Sequence, residues 1–134
     1  MMPRTLPIEP SSRRCWMVVD DNLEILSLLE EAVARLFDVD VAAYNSPRAA
    51  LSAFRTAPDR FQYVITDLEM PGMNGFEFCN QLRAIMPRIR VLLSTGSQDV
   101  TATEATERGF CGMLTKPFSL ATLRREITPI TQTE

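Results

Sequence analysis

The sequence predicts an α/β fold, a doubly wound parallel sheet of five strands with five helices packed on its two faces. Three observations predict it. Short apolar runs alternate with stretches whose apolar residues recur every three or four positions. This alternation continues along the chain without an internal repeat or a low-complexity stretch. The strand-like runs also end in charged residues: Asp20 and Asp21 after the first, Asp67 after the third and Lys116 after the fifth. In such folds the carboxyl ends of parallel strands line one edge of the sheet, where ligands bind.

The first strand covers 15–19, Cys-Trp-Met-Val-Val. A helix follows, with Leu23, Leu26, Leu29, Val33 and Leu36 as its inner stripe and Glu24, Glu30 and Glu31 between them. Residues 38–44 place Val39, Val41 and Ala43 on one face and read as a short strand. Ser46 and Pro47 supply a cap and a first-turn proline for a helix over 48–57, which Pro58 helps to stop. The third strand covers 61–66. Residues 67–75 hold a proline, an asparagine and two glycines, which break either period and mark a loop. A helix over 76–86 faces the core with Phe78 or Cys79, Leu82, and Ile85 or Met86. A strand at 89–94, a helix at 99–108 ended by Gly109, a strand at 110–115 and a helix at 119–127 limited by Pro129 complete the set. The runs 15–19 and 89–93 are apolar almost throughout, which suits central strands buried on both sides. Thr101, Thr103 and Thr106 are poor helix formers and make the fourth helix weak.

At 134 residues the chain has the length of one domain. The expected organisation is a loose tail over 1–12 with three prolines, one domain over 13–128 and a short tail over 129–134. About seven residues after the last helix leave no room in this chain for an effector domain. A net charge of −3 argues against a general binder of nucleic acid or anionic membranes, which need a basic surface. No apolar run reaches membrane-spanning length, and the start lacks a secretory signal core. Cys15, Cys79 and Cys111 are widely spaced, odd in number and set in apolar segments. They read as small buried hydrophobes of a cytoplasmic protein, not as a disulfide or zinc framework. Histidine is absent, so any phosphohistidine must come from a partner.

Three carboxylates converging at one sheet edge would not all stay ionised without a cation or raised pKa values. Oxygen ligands alone favour Mg²⁺, with Mn²⁺ possible, over zinc. A carboxylate is also a nucleophile toward phosphorus, and phosphoryl transfer chiefly needs positioning and charge neutralisation. Lys116, the only lysine beside thirteen arginines, offers a compact point charge just before Pro117. Thr95, just after the fourth strand and before Gly96, is placed to donate a hydroxyl to a phosphoryl oxygen.

These residues resemble the response-regulator receiver domain of two-component signalling over roughly residues 14–128. The resemblance rests on Val18-Val19-Asp20-Asp21-Asn22, on the run from Asp67 to Gly75, on Leu92-Leu93-Ser94-Thr95-Gly96 and on Lys116-Pro117-Phe118. It implies a flavodoxin-like sheet of order 2-1-3-4-5. It also implies a phosphoryl group passed to Asp67 from a histidine kinase or histidine phosphotransfer protein. Asp21, Asp67 and the backbone carbonyl of Glu69 would hold Mg²⁺, with Asp20 acting largely through water. Thr95 and Lys116 would hold the phosphoryl group, and the bond before Pro117 is often cis in the family. Glu69 and Ser97 would flank the path of the water that removes the phosphate. Met113 stands where the family usually has an aromatic switch residue, and it has no ring to swing inward. The stretch from Thr95 to Lys116 is about one residue shorter than usual.

The resemblance further implies an unidentified output partner and admits a phosphorylation-dependent homodimer. It implies a signalling protein whose only reactions are its own phosphoryl transfer and slow dephosphorylation. Two alternatives stand beside this reading. A degenerate receiver would dock a partner without phosphorylation. A phosphatase of the haloacid-dehalogenase kind would place its nucleophile after an early strand with a second Asp two residues on, whereas Asp67 is mid-chain and followed by Glu69.

Overall fold

The computed structural model describes residues 15–132. Along them run β1 (Cys15–Val19), α1 (Leu23–Phe37), β2 (Asp40–Tyr44), α2 (Pro47–Thr56), a 3₁₀ turn (Pro58–Arg60), β3 (Phe61–Asp67) and α3 (Gly75–Ile85). They continue through β4 (Arg90–Thr95), α4 (Ala102–Glu107), β5 (Gly112–Thr115) and α5 (Leu120–Gln132). The five strands form one parallel sheet of order β2-β1-β3-β4-β5, flavodoxin-like as expected. The tail expected over 1–12 lies outside the described residues.

Alternation along each strand builds two cores. Met17, Val19, Val64, Val91 and Leu93 face α2, α3 and Ala105 of α4. Trp16, Val18, Tyr63, Ile65, Leu92 and Leu114 face α1 and α5. Val39, Val41 and Ala43 share the second face, as their spacing predicts. Trp16, Phe54 and Phe78 are almost wholly buried and anchor both layers, each burial worth roughly 1.5–3 kcal/mol. No helix among the described residues is long and apolar enough to cross a membrane.

Local chemistry explains most helix ends. Asn22 caps α1 by accepting from the N–H groups of Glu24 and Ile25. Asn74 and Glu77 form a reciprocal capping box on α3. Ser46 caps α2, with Pro47 as its first residue.

Several boundaries differ from the sequence expectation. Helix α4 has six residues in place of the expected 99–108, because side chains intercept backbone N–H groups at its start. Ser97 Oγ accepts the Asp99 N–H at 3.1 Å and Thr101 Oγ1 caps Glu104 N–H at 3.0 Å. Strand β5 begins at Gly112 and not at Phe110, since Gly109 takes a φ of 99° and the Phe110 N–H returns to Ala105 O. Strand β2 begins at Asp40 because Asp38, at φ 51°, is the left-handed end of α1. Helix α5 continues through Pro129 to Gln132, so the expected stop and the tail from 129 are not seen there. The proline removes one i→i−4 hydrogen bond without ending the helix. Leu23 is exposed at the first turn of α1 and leaves the inner stripe to Leu26, Leu29, Ala32 and Val33. Cys111 is exposed, although its thiol reaches back to donate to Val91 O at 3.3 Å.

Candidate functional site: the carboxyl edge of the sheet

Strand register brings the predicted residues together. Val19 pairs with Thr66, Asp67 with Ser94, and Thr95 with Thr115. Asp20, Asp67, Thr95 and Lys116 therefore end four adjacent strands at nearly one level. Asp20, Asp21 and Asp67 each offer a carboxylate oxygen, and these lie within 4.8 Å of one another. Asp20 is fully buried and Asp67 is buried, whereas Asp21 is exposed. Lys116 Nζ donates to Asp20 Oδ2 at 2.8 Å and to Asp67 Oδ1 at 3.1 Å. The Lys116–Pro117 bond is cis.

Three further contacts fix the acids. Asp67 Oδ1 also accepts the Leu68 N–H at 2.9 Å, and Asp20 Oδ1 accepts the Asn22 N–H at 2.9 Å. The Asp67 carbonyl accepts the Thr66 hydroxyl at 2.9 Å. Both bonds to the Asp67 side chain fall on Oδ1, so Oδ2 is left without a partner among the described residues.

Burial pushes the Asp67 carboxyl above its ordinary pKa, and the Asp20 charge adds to this; Lys116 and the Leu68 N–H oppose it. For Lys116, burial works against the ammonium. The hydrogen bond to Asp20 and the charges of Asp67 and Asp20 outweigh it, and its pKa rises. The cluster thus holds three carboxylates against one ammonium, a deficit of two positive charges in a largely buried corner. Hard oxygen donors with that deficit fit a small divalent cation.

Thr95 is buried, and its Oγ1 accepts the Ser97 N–H at 3.0 Å, which leaves the hydroxyl proton available. Its carbonyl accepts the Lys116 N–H at 2.8 Å, whereas its hydroxyl makes no hydrogen bond to the acids or to the Lys116 ammonium. Glu69 carries an exposed side chain two residues past Asp67. Ser97 is half-buried and serves the turn before α4. Met113 packs, half-buried, against the core on the α2–α3 face.

The roles of Gly75 and Ser94 are not legible in the sequence. A Cβ on Gly75 would run into the Asp67 carbonyl oxygen, and the Gly75 N–H donates to Leu68 O at 2.7 Å. The first turn of α3 thus rests on the end of β3. Gly75→Ala should cost about 1–3 kcal/mol, read as a lower thermal midpoint, because the opposing atom is backbone. An unchanged midpoint would mean that the loop yields freely. Asn22 had a legible signal, a capping residue just before the helical period.

The family model for the response regulator receiver domain matches residues 16–128, and the chain belongs to that family. The two-component response regulator ARR14 of Arabidopsis thaliana is 32% identical over 110 residues, which are 81% of this chain and 28% of that protein. The transcriptional regulatory protein ZraR of Escherichia coli (strain K12) is 34% identical over 109 residues, 81% of this chain and 24% of that protein. The chain thus spans about a quarter of the length of these relatives. Among solved structures, a receiver domain protein from Clostridium thermocellum superposes with a TM-score of 0.80 at 24% identity, covering 90% of this chain and 95% of that one. The BeF3-activated receiver domain of DrrB, from Thermotoga maritima, gives 0.75 at 25% identity, covering 90% and 97%.

Proposed function

We propose that this chain is a phosphoacceptor receiver that takes a phosphoryl group onto Asp67 and thereby changes a partner-binding surface. The observation that carries the reading is the division of labour at Asp67. Lys116 and the Leu68 N–H hold Oδ1, and Oδ2 is free to attack. With no histidine in the chain, the donor is the phosphohistidine of a histidine kinase or phosphotransfer protein. The N–P bond of that partner breaks, an O–P bond forms at Asp67 Oδ2, and the imidazole leaves with the electron pair and takes a proton.

Asp21, Asp67 and the Glu69 carbonyl, with Asp20 through water, are the residues that would hold Mg²⁺ (or Mn²⁺). A bound cation of this kind supplies charge neutralisation for the phosphoryl oxygens. Lys116 supplies a second positive charge from the end of β5. Thr95 supplies its free hydroxyl proton once the phosphoryl group is in place. The reactions are confined to the chain's own phosphorylation and its slow reversal. We place the partner's approach beside Lys116, where Ile25, Leu28, Pro117 and Phe118 wall an apolar groove of about 350 Å³. A cytoplasmic location suits such a partner.

Labelling with acetyl phosphate and Mg²⁺ tests the reading. About one phosphoryl group per chain is expected, stable to acid, labile to hydroxylamine and lost when EDTA is present. BeF3, which activates the DrrB receiver, is expected to bind in the same Mg²⁺-dependent way. Size-exclusion chromatography of the labelled protein reports any homodimer. Absence of both label and BeF3 binding would favour a docking module that works without phosphorylation.

A further inference from the structure

Among the described residues, Ser94 Oγ is the buried side-chain polar atom that has no hydrogen-bond partner. Ser94 itself is fully buried. Such a hydroxyl is costly to leave without a partner, and native structures hold few of them. Its position indicates where a partner comes from. Ser94 pairs in register with Asp67 on one side and with Leu114 on the other. Leu92 and Leu114 both face α1 and α5. By alternation, Ser94 and Lys116 leave the sheet on that same face, as do Asp67, two after Ile65, and Asp20, two after Val18.

Strand β4 lies between β3 and β5. To reach Asp67 and Asp20 from β5, the Lys116 side chain must cross β4, and Ser94 is the last β4 residue on that face. An ammonium has three donors. Two are spent on Asp20 and Asp67, the carboxylates that a divalent cation would also claim. A cation there repels the ammonium and takes over its acceptors.

We propose that Ser94 is a positioning residue whose Oγ accepts a hydrogen bond from Lys116 Nζ when a divalent cation occupies the Asp20–Asp21–Asp67 cluster. Ser94 thus keeps the lysine poised over β4 and close to Asp67. This inference rests on the phosphoacceptor reading for its purpose, but not for its test.

The test is a double-mutant cycle on Mg²⁺ affinity, measured by calorimetry on the purified chain with MgCl₂ alone. Ser94→Ala should weaken Mg²⁺ binding by roughly tenfold, the scale of a hydrogen bond to a charged group. In EDTA its thermal midpoint should be equal to wild type or higher, since an unpaired hydroxyl is removed. In a Lys116→Met background, the same Ser94→Ala change should leave Mg²⁺ affinity unaltered within twofold. Ser94→Thr, which keeps an acceptor oxygen, should recover most of the affinity. Unchanged affinity in Ser94→Ala overturns the proposal, and so does a loss that persists in full without the lysine. If the wild-type chain binds Mg²⁺ as expected yet accepts no phosphoryl group, the phosphoacceptor reading fails while the Ser94–Lys116 coupling stands.

Discussion

Asp67→Asn is expected to abolish acid-stable, hydroxylamine-labile labelling and, in metal-free buffer at pH 7, to make the fold more stable. The first effect follows from chemistry. Asn has no anionic oxygen to attack phosphorus, and among the described residues no other carboxylate has one oxygen held by Lys116 and the Leu68 N–H with the other left free. The second follows from the charge balance. Burial, and then the Asp20 charge, raise the Asp67 pKa despite Lys116. A carboxyl whose folded pKa lies above its unfolded value stabilises the fold only while protonated. That contribution is complete below the unfolded value near 4 and is lost as pH rises through the folded value. At pH 7 the Asp67 carboxyl therefore works against folding, and Asn removes that cost. A gain of about 1 kcal/mol corresponds to a midpoint roughly 4 °C higher. The difference from wild type should shrink as pH falls below about 4, where Asp67 is neutral in both states. Labelling retained at full stoichiometry would place the acceptor elsewhere, and a lower midpoint in EDTA would mean that the bond to Lys116 outweighs burial.

Much of this was legible in the sequence because strand ends are legible. Apolar runs closed by Asp20, Asp67, Thr95 and Lys116 placed four side chains at one sheet edge, and the register lines them up within a residue. What sequence could not supply were effects that depend on neighbours from other strands. Ser94 reads as an ordinary residue of an apolar strand until Asp67 and Leu114 stand on either side of it. Gly75 reads as a turn residue until the Asp67 carbonyl is found where its Cβ would go. The misplaced ends have local causes: side-chain oxygens of Ser97 and Thr101 compete with α4 for backbone N–H groups, and Gly109 at positive φ with the Phe110 N–H turned back to Ala105 O delays β5. Helix α5 shows the reverse, a local breaker at Pro129 overridden by a helix already anchored through Leu123 and Ile127.

Lys116→Arg is expected to slow labelling by about a hundredfold, close to 2.7 kcal/mol in the barrier, while the protein still folds. The charge is preserved, so electrostatics alone predicts no effect. Geometry predicts a large one. The ammonium is a single point that meets Asp20 Oδ2 and Asp67 Oδ1 at 2.8 and 3.1 Å from a side chain that is 16% exposed. A guanidinium is longer, planar and forked, and cannot put one nitrogen at that point without displacing its own bulk toward β4 or the groove beside Phe118. Lys116→Met separates the two contributions. It leaves buried Asp20 and Asp67 without a counter-charge, which should cost about 3 kcal/mol in EDTA and be partly restored by Mg²⁺. The Lys116 pKa is raised, so its ion pairs are fully present at neutral pH and fade only as pH climbs through the folded-state value. Any loss seen in the Arg variant at pH 7 is therefore a loss of placement and not of protonation. Wild-type labelling in Lys116→Arg would show that only a positive charge is needed there, and the single lysine among thirteen arginines would then have no geometric explanation.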